Sequence, residues 1–294
     1  MSLANTVTTL RPPAKPNSLG TMSQKSIWRG VLSVYHSVII AGKRVRYYTK
    51  GEPITYGSCT VRYVPGTRPV RESYASSDDP VVRNDAKQLS YFARHVRAGD
   101  FVLDVGGHIG QYAVLFGGLV GPTGRVVTFE PDSDAHQTLR QNLALNHFQN
   151  RVTIEEMALF DSDSEHTFYS RHADSMSSLM RSGLGSNAND AEVRSASVTT
   201  MTIDSYLARH GLPSPQFVKL DVEGAEINIL RGGSSILKSG TTIVCELHPY
   251  AWPEYKTSFE ELLQIVRAAG RSIRYLDDAH SIDDGAEYAA VVIS

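Results

Sequence analysis

A chain of 294 residues that is 41% hydrophobic and 20% charged, with a formal net charge of −2, suits a globular protein with one sizeable α/β core and a small extension. Fibrous, wholly disordered and disulfide-built proteins are excluded: the two cysteines, Cys59 and Cys245, make no framework, and Cys245, in an apolar run, reads as a buried free thiol in a reducing, cytoplasmic setting. No segment approaches the ~20 apolar residues of a membrane span, and the start lacks the charged-then-apolar order of a secretory signal.

The charge is unevenly spread. Residues 1–50 hold eight lysines and arginines and no acid, so the remainder carries a net −10. Residues 1–22, rich in Thr, Pro, Ser and Asn, read as a disordered basic leader. From Ser26 to Ala41 apolar residues recur at helical spacing, and Gly42 ends the pattern. Such a helix packs on its own domain or a second copy more often than on lipid, and a homodimer or peripheral contact through it stays open. Residues 54–64 predict one or two short strands before a Pro65-Gly66 turn, so 23–82 form an N-terminal helix-and-strand segment.

The main domain is expected over 83–294. A helix is predicted at 83–97, with Leu89, Phe92, Ala93 and Val96 on one side. Then strands and helices alternate: strand 101–106, helix 109–119, strand 125–131, helix 134–146, strand 151–159, strand 217–224, strand 241–247, helix 257–269, and closing strands 272–277 and 287–293. Near-solid apolar strands alternating with helices signal a mostly parallel sheet covered on both faces. Residues 161–200, with weak strands at 165–170 and 193–200 and a Gly-rich patch at 182–190, suit either a mobile surface excursion or a rim over a site.

In such sheets ligands sit beyond the carboxyl ends of the strands. Four strands end there in Asp104, Glu130, Asp221 with Glu223, and Glu246 with His248. Asp104-Val-Gly106-Gly107-His108-Ile-Gly110 leaves a buried strand and opens a helix, where glycines permit close backbone approach. The spacing departs from the dinucleotide fingerprint, because His108 falls where its second glycine belongs. Glu130, 20 residues past Gly110, is placed to accept from the vicinal hydroxyls of a ribose.

Five segments in order resemble the FkbM family of S-adenosylmethionine-dependent methyltransferases, over roughly residues 85–250. They are Phe101–Gly110 (FVLDVGGHIG), Gly121–Pro131 (GPTGRVVTFEP), the serine segment Ser175–Leu179, Phe217–Gly233 (FVKLDVEGAEINILRGG) and Val244–Pro249 (VCELHP). The resemblance implies a class I methyltransferase Rossmann-like fold, a seven-stranded mostly parallel sheet whose last hairpin holds an antiparallel strand. It implies O-methylation of sugar or secondary-metabolite hydroxyls with S-adenosylmethionine as cofactor. On matching positions, Asp104, Gly106, Gly107, His108 and Gly110 would line the methionine and ribose side, Glu130 would hold the ribose diol, and Glu156, Met157 and Ala158 would lie beside the adenine. The chain departs from the family's Ala-Asn at Gly107-His108, which changes a polar contact near the methionine.

An alcohol must lose its proton as the methyl arrives. His248 is the expected base, with Glu246, two residues back on the same strand face, orienting it or gripping a hydroxyl. Asp221 and Glu223 share a face if their strand persists, within reach of Lys219. The same Asp221, Glu223, Glu246 and His248 could instead hold a hard divalent cation. A net-acidic domain without a basic aromatic groove argues against nucleic acid and for a small hydroxylated, carbohydrate-like acceptor. The competing readings are a non-catalytic adenosine-cofactor binding or scaffold protein and a nucleotide-dependent oxidoreductase, the latter disfavoured by the glycine spacing.

Overall fold

Asp79 accepts hydrogen bonds from the amides of Val81 and Val82, and Pro80 takes the first helical position. Cap and proline together start α1 (Pro80–His95) three residues earlier than the apolar spacing predicts. The computed structural model describes residues 50–65, 67, 69–171, 177–181, 193–277 and 280–294. The predicted leader, the predicted helix at 26–41 and the Gly-rich patch at 182–190 lie outside these residues. The chain divides into two units, Met1–Glu52 with Val64–Arg68, and Pro53–Tyr63 with Pro69–Ser294. In the first, Thr67 bonds back to the Val64 carbonyl, closing the turn predicted at Pro65. No helix among the described residues is long and apolar enough to cross a membrane.

A two-stranded sheet comes first along the chain, β1 (Glu52–Tyr56) and β2 (Cys59–Tyr63). After α1 the chain alternates: β3 (Phe101–Val105), α2 (Gln111–Leu119), β4 (Arg125–Phe129), α3 (Ser133–Leu145), β5 (Val152–Glu155). An excursion follows, with β6 (Ala158–Leu159), β7 (Ser164–Arg171), β8 (Ser177–Ser178) and β9 (Val193–Met201). Then come α4 (Ile203–Arg209), β10 (Phe217–Leu220), α5 (Glu226–Arg231), α6 (Ser234–Lys238), β11 (Thr242–Glu246), α7 (Trp252–Tyr255), α8 (Phe259–Ala268), β12 (Ile273–Tyr275) and β13 (Ala290–Ile293).

Seven strands form one sheet in the order β12-β13-β11-β10-β3-β4-β5. The ladders from β11 to β5 are parallel, and β13 runs antiparallel to both its neighbours. This is the class I methyltransferase sheet, closing hairpin included. Alternate strand residues feed two cores. Leu103, Val127, Val218, Ile243 and Val291 pack with α4, α5 and α8, whereas Val102, Val126, Val244 and Val292 pack with α1 and α2. The order reverses between β3 and β10, so the crevice where a ligand sits in open parallel sheets falls between their carboxyl ends.

The 161–200 region forms, where described, a second sheet that holds the strands predicted at 165–170 and 193–200. Its order is β6-β9-β7-β8, and β7 and β9 pair antiparallel over eight residues. The predicted strand at 151–159 is therefore two strands in two sheets, β5 in the main one and β6 in the smaller.

Candidate active site

The turn after β3 is shaped by its neighbours in the protein. Gly106 has φ +87°, and a Cβ there would lie 1.8 Å from the Asp221 carbonyl oxygen. A Cβ on Gly107 would lie 2.0 Å from Thr128 Oγ1. These glycines let the turn settle against Asp221 and β4, so packing within the protein already requires them there. His108 sits at φ +43°, a left-handed conformation in which histidine and asparagine are both enriched. Its amide donates to Glu130 Oε2 at 2.6 Å.

Glu130 ties two loops together, since its Oε1 also accepts the Asp132 amide at 2.7 Å. It is buried, and burial pushes its carboxyl up to about 7 against the pull of those two amides. Each oxygen still has lone-pair capacity for a diol. His136 Nε2 bonds the Glu130 carbonyl at 2.7 Å. Its Nδ1 lies 3.7 Å from Glu156, which also pairs with Arg140. Of the residues expected beside the adenine, Glu156 is half exposed, Met157 is partly buried and Ala158 is buried.

A polar row crosses the sheet on the α1–α2 side. Thr128, Asp104 and Lys219 stand side by side in register. Thr128 donates to Asp104 Oδ2 at 3.0 Å, while the buried Asp104 Oδ1 has no partner among the described residues. Burial raises the Asp104 carboxyl to about 6, although Lys219 pulls it down. Lys219, with a side chain 1% exposed, bonds Asp221 Oδ2 at 3.0 Å and lies 4.3 Å from the centre of the Tyr112 ring. Burial alone would raise Asp221, but Lys219 and then His248 hold it below the usual carboxylate range.

β10 ends at Leu220, one residue before Asp221, so no extended strand aligns Asp221 with Glu223. A turn does so, with Glu223 at φ +54°. Ser178 Oγ donates to the Glu223 carbonyl at 3.0 Å, and Ser177 Oγ to Asp132 Oδ2 at 3.0 Å. The smaller sheet thereby braces both the Glu130 loop and the Glu223 turn.

His248 is 1% exposed. Its Nε2 lies 3.6 Å from Glu223 Oε2 and 3.8 Å from Asp221 Oδ1. Its Nδ1 bonds Glu226 Oε1 at 2.7 Å. Burial would lower the imidazole's affinity for a proton, but Glu223 and Glu226 outweigh it and push the group up to about 10. Of the two roles expected of Glu246, the hydrogen bond that orients the ring goes to Glu226 instead; Glu246 accepts from Gln88 Nε2 at 2.6 Å and from Tyr288 at 2.5 Å. The reason is the strand's end: β11 stops at Glu246, so the two-residue spacing to His248 does not keep both side chains on one face. The four-residue metal set shrinks accordingly. Asp221, Glu223 and His248 each offer one ligand atom, all within 4.8 Å of one another, without Glu246.

Several residues here were given no role by sequence reasoning. Tyr250 donates to Glu223, and α1 brings Gln88 to Glu246 and Asp85 to the Tyr112 hydroxyl, 3.0 Å away. Burial, Glu246 and Asp221 raise Asp85 to about 7. A signal existed: Asp85 and Gln88 fall on the same helical stripe as Leu89 and Phe92, where apolar residues are expected.

The model of the methyltransferase FkbM domain matches residues 104–273. The hexuronic acid methyltransferase AglP of Haloferax volcanii is 24% identical over 169 residues, 57% of this chain and 64% of that protein. The chain thus spans just under two thirds of that relative. Among solved structures, a methyltransferase FkbM from Methylobacillus flagellatus aligns at 15% identity and TM-score 0.41, covering 76% of this chain and 57% of that one. An S-adenosylmethionine-dependent O-methyltransferase from Thermotoga maritima aligns at 14% and 0.40, covering 83% and 76%. The family match takes in the glycine turn, Glu130, the Asp221–Glu226 turn and His248 together, and on it the chain belongs to the FkbM family of methyltransferases.

Proposed function

We propose that the protein transfers a methyl group from S-adenosylmethionine to a hydroxyl of a sugar or secondary-metabolite acceptor, with His248 Nε2 taking the hydroxyl proton. The observation that carries this reading is the convergence of Asp221, Glu223 and His248 at the carboxyl end of β10 and β11, beside the glycine turn. The cofactor supplies an electrophilic methyl on a positively charged sulfur. The residues present fit such a cation: Asp104 Oδ1 is buried without a partner among the described residues, and burial holds Asp104, Glu130 and Glu223 above the usual carboxylate range.

In this reading Glu130 accepts the ribose hydroxyls, and Asp104 with the turn 106–110 holds the methionine end. Glu156, Met157 and Ala158 border the adenine. Asp221 and Glu223 accept from acceptor hydroxyls and set the attacking oxygen in line with the methyl. His248 holds a proton at neutral pH in the free protein. A positive charge held nearby would disfavour a charged imidazole and leave His248 Nε2 able to take the acceptor's proton. The acceptor's carbohydrate character is suggested by AglP, named for hexuronic acid methylation.

The test is methyl transfer from labelled S-adenosylmethionine to a panel of sugars and glycosides, with binding followed separately. The His248→Ala variant should bind the cofactor as the parent does and lose about 100-fold or more in turnover. Unchanged turnover removes His248 from the chemistry; cofactor binding with no acceptor ever methylated favours a binding protein. A second reading is favoured by the three ligand atoms within 4.8 Å: a hard divalent cation there would orient the acceptor and ease its deprotonation. Full turnover in excess chelator removes it, whereas loss restored by Mg²⁺ or Mn²⁺ supports it.

A further inference from the structure

Glu226 opens α5 with no exposed surface, and three hydrogen-bond contacts meet its carboxylate. Oε1 accepts the Gly224 amide at 2.8 Å and lies 2.7 Å from His248 Nδ1. Oε2 accepts the Trp252 indole N–H at 3.0 Å. The amide and the indole can only donate, so both oxygens of the Glu226 carboxyl already act as acceptors. The hydrogen between Glu226 and the imidazole therefore sits on Nδ1. The other ring nitrogen faces the opposite way. Nε2 has no hydrogen bond among the described residues, and the oxygens of Glu223 and Asp221 lie beyond hydrogen-bond range at 3.6 and 3.8 Å.

We propose that Glu226 is the positioning residue of the site, pinning His248 through Nδ1–H so that Nε2 is the atom presented to the ligand. The inference rests on the reading that His248 acts on the acceptor. It serves either version of the chemistry, because a proton acceptor and a metal donor both need a nitrogen lone pair on that side. Histidines that work through one nitrogen are commonly held in this way by a bond at the other. Glu226 is itself held by the backbone two residues before it and by an indole from α7, which keeps its carboxylate on the Nδ1 side of the ring. The role expected of Glu246 is thus carried by a residue outside the strand.

The test reads the nitrogen directly and needs no acceptor. Protein labelled with ¹⁵N-histidine and stripped with chelator is examined by proton–nitrogen correlation spectra, with His248→Gln assigning the ring. The expected result is a far-downfield, slowly exchanging proton bonded to Nδ1 of His248. It should be lost in Glu226→Ala. It should survive, moved upfield, in the double variant Glu226→Gln with Trp252→Phe, where the amide oxygen still accepts from Nδ1 and the indole donor no longer opposes the amide nitrogen. A downfield proton on Nε2 instead, none on Nδ1 in the parent protein, or one that persists in Glu226→Ala overturns the proposal. The parent spectrum decides the matter even if Glu226→Ala fails to fold. Failure of methyl transfer is seen in a different assay and leaves this result intact.

Discussion

Glu130 shows how one side chain can tie two loops together. By accepting the amides of His108 and Asp132 it fixes the distance between the glycine turn and the start of α3. In the proposed function it also takes two ribose hydroxyls. Glu130→Ala should therefore weaken S-adenosylmethionine binding by ~2–4 kcal/mol, the worth of one or two charge-assisted hydrogen bonds. Calorimetric titration measures it, and unchanged affinity removes the diol role. The family departure at His108 bears on the same bond. It is the backbone amide that meets Glu130, so replacing asparagine changes the side chain and leaves this contact in place.

At the scale of elements, the turn after β3 is a packing joint. The Gly107 position is closed by Thr128 of β4, whose hydroxyl also serves Asp104. Gly107→Ala should cost ~1–3 kcal/mol, as overpacking does. Thr128→Ala removes the hydroxyl that donates to buried Asp104 and should cost a similar ~1–3 kcal/mol, and the double variant should be more stable than the two costs added predict. Urea unfolding of the four proteins tests this, and strict additivity would show that the close approach is not what excludes the alanine. The smaller sheet belongs to the same scale. Ser177 and Ser178 of β8 fasten it to the Glu130 loop and the Glu223 turn.

Over the whole molecule, buried carboxyls gathered at one end of the sheet shape the response to pH. Asp104 is raised from 3.8 to about 6 and Glu130 from 4.5 to about 7, both chiefly by burial. A group whose folded value lies above its unfolded value adds stability at pH below the unfolded value, and that contribution is lost as pH rises through the folded value. For these two the window runs from about pH 4 to about pH 7. The cofactor-free protein should thus melt at a higher temperature at pH 5.5 than at pH 7.5. Glu130→Ala should show a shallower fall. Calorimetric scans across this range check it, and a melting temperature that climbs steadily from pH 5.5 to 7.5 contradicts it.

The alternation of apolar strands and helices, the two closing strands and the five family segments were readable along the chain, because burial on both faces and tight turns impose local residue choices; the antiparallel run of the last strand came only from the family resemblance. The acids ending β3, β4, β10 and β11 were readable for the same reason: they mark where each apolar run stops. What touches what was decided only by tertiary structure. Glu226 rather than Glu246 meets His248, because β11 stops at Glu246 and a turn across the sheet brings in a residue 22 positions away. Gln88 reaches Glu246 across 158 positions, a contact no spacing rule encodes. The glycines of the turn were visible in the sequence, but what they pack against was not: only the folded sheet puts the Asp221 carbonyl and the Thr128 hydroxyl where a Cβ would have to go.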